Sequence, residues 1–245
     1  MEPILQVRQL SKRYRNGRGV RNISFEVRRG DVYGLFGPNG SGKTTVLKMI
    51  SGLCKADSGS VSLFGHDAAE QFEPAMSRVG CIVETADAYD YMSGYDNLKL
   101  AARLYPELPK TRIDEVLEWV RLTPYKREKA GGYSLGMKQR LALAAALLNE
   151  PELVILDEPS NGLDIEGAVE LRELILRLSA QNGTAFLISS HQLDEMERVC
   201  SRIGFMYGGA FIREGGIGEL TGEESLERTY LSEIRKARGE GGADV

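Results

Sequence analysis

The sequence predicts an α/β fold with a mostly parallel core sheet and flanking helices, an antiparallel β subdomain at the N-terminus and an inserted α-helical subdomain. Three features predict it. A glycine-rich loop joins an apolar strand to a helix within residues 31–50. Apolar strands alternate with helices over residues 153–207, which favours a parallel sheet with helical crossovers. Between these regions, residues 87–149 show helical patterns only, which indicates a separate subdomain.

The composition is that of a globular protein and argues against several functional classes. Of the 245 residues, 42% are hydrophobic and 27% are charged, and the formal net charge is −4 with a pI near 5.5. This acidic balance disfavours a nucleic-acid partner, because nucleic-acid binders usually carry a basic excess. The three cysteines are too scattered for a disulfide framework or a zinc site.

No segment of the sequence is long and apolar enough to span a membrane. The longest apolar run covers residues 141–148, whereas a span needs about 18 residues. The first residues have neither the basic region nor the apolar core of a signal peptide. We therefore expect a cytoplasmic protein.

The N-terminal part of the chain predicts β structure around the glycine-rich loop. Alternating apolar and polar residues indicate half-buried strands before the loop, with turn residues at 16–19 between them. Strands are expected at residues 4–10, 23–27, 31–36, 59–65 and 79–83.

The remaining patterns predict helices first and then strands and helices in alternation. Helices are expected at residues 97–104, 111–122, 135–148, 167–179 and 193–200, and strands at 153–156, 184–188 and 203–207.

The glycine-rich loop fits the phosphate-binding pattern G-x-x-x-x-G-K-[ST] of the P-loop NTPases. Its glycines let successive backbone N–H groups face an anion, and the N-terminus of the next helix adds a positive dipole. Lys43 can reach the β- and γ-phosphates of a nucleoside triphosphate, and the Thr44 hydroxyl can bind Mg²⁺. The expected nucleotide-binding residues are Gly37, Pro38, Asn39, Gly40, Ser41, Gly42, Lys43, Thr44 and Thr45.

Two acidic residues follow the apolar strand at residues 153–156. Asp157 stands at the carboxyl end of a parallel strand, where ligands gather, and is expected to hold Mg²⁺. Glu158 is expected to orient or deprotonate the water that attacks the γ-phosphate.

Further motifs resemble those of the ABC-type ATPases, and the resemblance extends over residues 4–232. Ser134 and Gly136 match the signature motif of that family. Residues 160–164 resemble its D-loop, and His191 resembles its switch histidine. A P-loop kinase or a GTPase, which is an alternative from the loop alone, would leave these three motifs unexplained.

The resemblance implies a P-loop NTPase fold of ABC type that works as a pair of ATPase subunits. The two subunits, identical or different, would lie head to tail around two ATP molecules and two Mg²⁺ ions. Ser134 and Gly136 would then contact the nucleotide held by the other subunit, and Tyr14 would stack on adenine. The family's other partners are transmembrane permease subunits, so the chain would lie peripherally on the inner face of the membrane.

The same resemblance suggests how the chain divides. The ATPase domain would cover residues 1–238. Its catalytic core, with the antiparallel β subdomain, would comprise residues 1–86 and 150–238, and the helical subdomain with the signature would comprise residues 87–149. Residues 239–245 are expected to be a flexible tail.

The sequence departs from the family pattern at several positions. Glu84 stands where the family usually has a glutamine, and Leu135 and Met137 replace a glycine and an amide of the signature. Together with Tyr89 and residues 136–139, these features resemble the ATPase subunits of bacterial exporters for antimicrobial peptides and bacitracin-like antibiotics. That branch implies antibiotic resistance or lantibiotic immunity.

Glu84 is expected to contact Mg²⁺ or the attacking water only when the site is closed. A carboxylate can ligate Mg²⁺ as an amide does, but it carries a full charge. The expected catalytic residues are Lys43, Glu84, Glu158 and His191, and the expected metal ligands are Thr44, Glu84 and Asp157.

Two questions stay open at this point. A soluble ABC-type ATPase acting on nucleic acid or the ribosome is the alternative to a transporter, although tandem ATPase units, coiled-coil insertions and basic surfaces are missing from the sequence. The aromatic residues within 87–130 form either a docking surface for the permease or a satellite core. They are Tyr89, Tyr91, Met92 and Tyr95.

Overall fold

The computed structural model describes residues 2–84, 87–222 and 225–238. The tail predicted at residues 239–245 lies outside these ranges. Among the described residues, no helix combines the length and the apolar character that a membrane crossing requires.

The strands of the described chain form a four-stranded sheet and a six-stranded sheet. The strands are β1 (Pro3–Arg13), β2 (Gly19–Arg28), β3 (Val32–Phe36), β4 (Ser58–Leu63), β5 (His66–Asp67), β6 (Val79–Ile82), β7 (Leu153–Asp157), β8 (Ala185–Ser190), β9 (Arg202–Tyr207) and β10 (Ala210–Gly216). The helices are α1 (Lys43–Ile50), α2 (Phe72–Met76), α3 (Gly94–Ala102), α4 (Arg112–Trp119), α5 (Leu135–Ala146), α6 (Ile165–Asn182), α7 (Leu193–Val199), α8 (Ile217–Thr221) and α9 (Leu226–Ala237).

The two sheets have the directions that the sequence predicts. The smaller sheet has the order β2-β1-β4-β5 and is antiparallel. The larger sheet has the order β10-β9-β3-β8-β7-β6. Its strands are parallel except for β10, which pairs antiparallel with β9 at one edge. The predicted fold class is therefore confirmed.

The central strands of the larger sheet are apolar because both of its faces are covered. β3 and β8 are buried along their whole length, and β7 is buried except at its last residue, Asp157. On one face, Tyr33 and Leu35 pack with the smaller sheet and α1. On the other face, Val154 and Leu156 pack in a core that continues into the helical region of the chain. Parallel strands in this setting read as continuous apolar runs.

Three adjacent strands, β3, β8 and β7, place their carboxyl ends at one edge of the sheet. The glycine-rich loop follows β3, Glu158 follows β7, and His191 follows β8. Because ligands of α/β proteins collect at such an edge, the topology brings the predicted site residues together.

Several helices begin or end at other residues than predicted. Side-chain caps explain two of the starts, and a left-handed residue explains one of the ends. α3 begins at Gly94 because the Ser93 hydroxyl accepts a hydrogen bond from the backbone N–H of Asp96 (3.0 Å). α6 begins at Ile165 because Asp164 caps it in the same way. α4 ends at Trp119, ahead of Arg121, whose φ of 56° is left-handed. The elements β5, α2, β10, α8 and α9 were not predicted.

Candidate nucleotide-binding site

The loop between β3 and α1 presents its backbone to a cavity of about 450 Å³. Gly40 and Gly42 have φ values of 82° and 106°, in the left-handed region. A Cβ atom on Gly42 would lie 2.3 Å from Cγ1 of Val20, so this position accepts glycine alone. The first turn of α1 contains no acidic residue, and its N-cap, Gly42, has no side chain to occupy the N–H groups. These N–H groups therefore stay available for an anion.

Most of the predicted nucleotide-binding residues line this cavity. They are Tyr14, Asn39, Gly40, Gly42, Lys43, Thr44 and Thr45. Gly37, Pro38 and Ser41 lie outside its wall. Gly37 supports the loop from behind, since a Cβ atom there would lie 2.4 Å from the carbonyl oxygen of Met206.

Lys43 lies against the loop that precedes it. Its side chain is 5% exposed, and its Nζ donates a hydrogen bond to the carbonyl oxygen of Gly37 (2.8 Å). The same Nζ lies 3.2 Å from Oε1 of Glu158. The buried cation is therefore balanced by a carboxylate that follows β7, two strands away in the sheet.

Glu158 joins the lysine to the predicted switch histidine. Its second carboxylate oxygen, Oε2, lies 2.7 Å from Nδ1 of His191. Because an ionised carboxylate only accepts hydrogen bonds, the His191 tautomer that satisfies this contact carries its hydrogen on Nδ1. Glu158 also has a left-handed backbone, with φ 48°. Such strain in a residue other than glycine is common at functional sites.

Ser189 contacts the side chain of Asp157 and the backbone of Glu158, and it was not among the residues predicted from the sequence. The register of β7 and β8 aligns it with Asp157. Its buried hydroxyl donates a hydrogen bond to Oδ1 of Asp157 and accepts one from the backbone N–H of Glu158 (3.0 Å). The signal that could have found it is the pairing of two predicted parallel strands, whose polar ends must meet at one edge.

Replacing Ser189 with alanine is expected to slow ATP turnover about 10-fold and to lower the free energy of unfolding by about 1–2 kcal/mol, because two partly buried hydrogen bonds are lost. Phosphate release and chemical denaturation measure the two effects. The matched control is Ser179→Ala, which removes the hydrogen bond from Ser179 to the carbonyl oxygen of Gly30 (2.7 Å), away from the cavity. Equal turnover in the two variants would contradict a role for Ser189 in orienting the acids.

Asp157 and Thr44 provide oxygen atoms of the kind that Mg²⁺ binds. Thr44 stands in the first turn of α1, and the Asp157 carboxylate is held by Ser189. In the part of the chain that the structure describes, no group of three or more His, Cys, Asp or Glu residues could hold a metal ion. A site with two protein ligands suits Mg²⁺, which usually keeps several waters and binds substrate phosphates. The residues present therefore fit this ion.

Two basic or polar side chains of the cavity were missed by the sequence analysis. Arg18 and Asn16 lie in the turn between β1 and β2 and line the cavity with Tyr14. The Asn16 side chain accepts a hydrogen bond from the backbone N–H of Arg18 (3.0 Å), which fixes the turn. The turn composition was visible in the sequence, but its position opposite the phosphate loop follows only from the sheet.

Glu84 lies near the acidic residues but is paired elsewhere. It follows β6, has a left-handed backbone (φ 77°) and forms an ion pair with Lys48 of α1. Glu84, Asp157 and Glu158 all line a second cavity of about 560 Å³, between the sheet and the helical region.

Ser134 and Gly136 lie at the start of α5, outside the wall of the phosphate-loop cavity of their own chain. The Ser134 hydroxyl caps the helix by accepting a hydrogen bond from the backbone N–H of Met137 (3.2 Å). Leu135 is 67% exposed and packs on Gly162 of the predicted D-loop, where a Cβ atom would lie 2.5 Å from its Cδ2. The signature and the D-loop are therefore in contact within one chain.

Comparisons with known proteins show which proteins this chain is similar to. The family model described as "ABC transporter" matches residues 20–161. The bacitracin transport ATP-binding protein BcrA of Enterococcus faecalis is 44% identical over 220 residues, which cover 90% of this chain and 71% of that protein. The lantibiotic transport ATP-binding protein SrtF of Streptococcus pyogenes is 37% identical over 231 residues, which cover 94% of this chain and 97% of that protein. A solved structure of an ATP-binding subunit of an ABC transporter has a TM-score of 0.85 and 29% identity, and the match covers 94% of this chain and 99% of that chain.

Proposed function

Since this chain belongs to the ABC transporter family, we propose that it powers the export of antimicrobial peptides or bacitracin-like antibiotics through separate membrane subunits. The chain is an ATPase whose hydrolysis of ATP to ADP and phosphate is coupled to transport. The observation that carries the catalytic proposal is the contact of Glu158 with both Lys43 and His191 beside the phosphate loop. The substrate class is supported by the relatives named for bacitracin and lantibiotic transport.

The proposed reaction is an in-line attack of water on the γ-phosphate. The oxygen of water forms a bond to the γ-phosphorus while the bond to the bridging oxygen of ADP breaks. Lys43 and the amides of the loop neutralise the charge on the phosphates, which is the main requirement of phosphoryl transfer. Glu158 orients the water and accepts its proton, and His191 holds Glu158 through Nδ1.

This mechanism requires a change at Lys43. In the structure, Oε1 of Glu158 lies 3.2 Å from Nζ of Lys43, so the carboxylate neutralises the ammonium. A γ-phosphate brings its own negative charge to the same ammonium. When ATP binds, the phosphate replaces Glu158 as the partner of Lys43, and the carboxylate becomes free to bind the attacking water.

The proposed metal ligands are Thr44 and Asp157, with Glu84 as a further ligand in the closed state. Mg²⁺ at this position would neutralise charge on the β- and γ-phosphates. Tyr14 is the proposed adenine platform, because it is 37% exposed and lines the cavity beyond the phosphate loop.

We propose that the complete site needs two chains. Each chain has one phosphate loop and one signature, and Ser134 and Gly136 do not line the cavity of their own chain. In a head-to-tail pair, they would close the cavity of the other subunit. Such a pair would unite the proposed core, residues 1–86 and 150–238, with the helical subdomain, residues 87–149, of its partner.

The permease is proposed to dock on the helical subdomain, and the chain would then lie on the inner face of the membrane. The structure divides the three tyrosines of the predicted cluster into two groups, and the fourth residue, Met92, is partly buried. Tyr89 and Tyr91 are 53% and 72% exposed, and the centroids of their rings are 5.9 Å apart. Tyr95 is partly buried against the core, where Arg127 covers its ring. The exposed pair is therefore the proposed docking surface, and the partly buried Tyr95 is not part of it.

This function is tested by expressing the tagged chain together with a polytopic membrane protein of the same organism that is a candidate permease subunit. We expect the chain to be recovered with membranes in that strain and to raise the concentration of bacitracin or of a lantibiotic that the cells survive. The matched control is Glu158→Gln, which is expected to keep the membrane association and to lose the resistance. Recovery of the chain with ribosomes, and unchanged drug sensitivity, would favour the soluble ATPase and contradict transport.

A further inference from the structure

Lys48 lies on α1, the helix that begins with Lys43, and points toward the end of β6. Its ammonium forms an ion pair with the carboxylate of Glu84, and the two side chains are 26% and 57% exposed. The carboxylate of Glu84 and, at longer range, that of Asp157 raise the pKa of the Lys48 ammonium. The Lys48 ammonium therefore connects α1 to Glu84 at the edge of the sheet.

The backbone at Glu84 is in a strained conformation. Its φ of 77° lies in the left-handed region, which residues with a Cβ atom rarely adopt. Strain of this kind persists when surrounding contacts hold the residue, and it is frequent in switch regions. The ion pair with Lys48 is a contact that can hold Glu84 there.

Glu84 lies at the same edge of the sheet as two other carboxylates. β6 and β7 are parallel neighbours, with Ile82 aligned with Leu156, so the residues that follow the two strands leave the same edge of the sheet. Glu84, Asp157 and Glu158 line one cavity. Like charges in one cavity repel each other, and the ion pair with Lys48 gives the Glu84 carboxylate a partner of opposite charge.

We propose that Lys48 is a positioning residue that holds the Glu84 carboxylate away from the Mg²⁺ site until a bound magnesium–nucleotide complex competes for it. This inference rests on the proposed function, since it assumes that the site binds ATP with Mg²⁺. A divalent cation attracts a carboxylate more strongly than one ammonium does, and carboxylate oxygens are its preferred ligands. Exchange of partners would move Glu84 at the start of the segment that leads to the helical subdomain.

The test measures the Mg²⁺ concentration that half-saturates binding of a fluorescent, non-hydrolysable ATP analogue to the full chain. Lys48→Met frees Glu84, and we expect the half-saturating concentration to fall about fivefold, the fold-change that corresponds to one exposed ion pair. Lys48→Arg keeps the charge and is expected to stay near the wild-type value. Lys48→Gln is the second neutral variant, in case Lys48→Met does not fold.

Measuring Lys48→Met both in the wild-type chain and in a chain that carries Glu84→Gln separates positioning of Glu84 from simple loss of charge. Lys48→Met also removes a positive charge near the nucleotide, and this effect is the same whether or not Glu84 is present. In the Glu84→Gln background, we therefore expect Lys48→Met to change the Mg²⁺ requirement by this charge effect alone, and the difference between the shifts in the two backgrounds gives the coupling between the two residues. An equal shift in both backgrounds, or a shift in neither, overturns the inference.

The same titration distinguishes this inference from the proposed function. If the wild-type chain binds the analogue and requires Mg²⁺, but the two residues show no coupling, the positioning role alone is wrong. If the wild-type chain does not bind the analogue at any Mg²⁺ concentration, the ATPase site itself is wrong and the positioning role falls with it.

Discussion

Replacing Glu158 with glutamine is expected to slow ATP turnover about 100-fold or more, the range that a general base contributes. Glutamine has the shape of glutamate and can still contact Lys43 and His191, but it cannot accept the proton of the attacking water. The fold should be retained, because the side chain is 18% exposed and no apolar packing is removed. Release of inorganic phosphate measures the effect.

Nucleotide binding should respond to this replacement in the opposite direction. The Glu158 carboxylate neutralises Lys43 at 3.2 Å, so it competes with the γ-phosphate for the same ammonium. Without that charge, ATP is expected to bind several-fold more tightly, as measured by equilibrium binding of a fluorescent analogue. In the presence of ATP, the slowly hydrolysing variant should elute as a dimer, since the nucleotides that hold two chains together persist.

The control for this variant is Glu73→Gln, which removes an exposed carboxylate on α2, away from the cavity. It is expected to match the wild type in turnover and in binding. A Glu158→Gln variant with wild-type turnover would show that another group deprotonates the water. His191 would then be the next candidate, because it lies 2.7 Å from the same carboxylate.

The local parts of the site are predictable from the sequence. The phosphate loop is a continuous motif whose glycines, lysine and threonine sit at fixed positions, and Asp157 directly follows an apolar run. Both depend on neighbours in the chain, so the patterns of β3, α1 and β7 suffice to place them. The same holds for α5, which begins where the Ser134 cap predicts.

The parts that depend on distant residues are not predictable in this way. Ser189 meets Asp157 across 32 positions of sequence, and Lys48 meets Glu84 across 36. Each contact requires the register of two strands or the rotation of a helix, which no local pattern encodes. The left-handed backbone of Glu158 is likewise unexpected, because a residue with a Cβ atom rarely adopts it. The contacts at the functional edge of the sheet therefore follow from the tertiary fold and not from local sequence patterns.

Replacing Lys43 with methionine is expected to weaken ATP binding about 10- to 100-fold, because charge-assisted hydrogen bonds to phosphate contribute about 1.5–3 kcal/mol. Methionine has a similar length and can occupy the buried channel, where the lysine side chain is 5% exposed. The carbonyl oxygen of Gly37 loses its donor, and Glu158 loses a neutralising charge. Equilibrium binding of a fluorescent ATP analogue measures the loss.

A charge of the same sign does not restore the site. Lys43→Arg is expected to bind ATP poorly as well, because a planar guanidinium group cannot occupy a channel shaped for one ammonium. Lys110→Met is the matched control, since it removes an exposed lysine ahead of α4. Unchanged affinity in Lys43→Met would contradict the assignment of the cavity to phosphate.

The Lys43 and Glu158 variants together separate binding from chemistry. Both residues belong to one ion pair in the structure, yet the proposed mechanism gives them opposite effects on affinity. If the pair only stabilised the fold, removing either partner would lower the free energy of unfolding and weaken binding alike. If the γ-phosphate displaces Glu158 from Lys43, the Lys43→Met variant loses affinity while the Glu158→Gln variant gains it. Opposite signs in the two binding curves are therefore the expected result, and a loss of affinity in both variants would contradict an exchange of partners at Lys43.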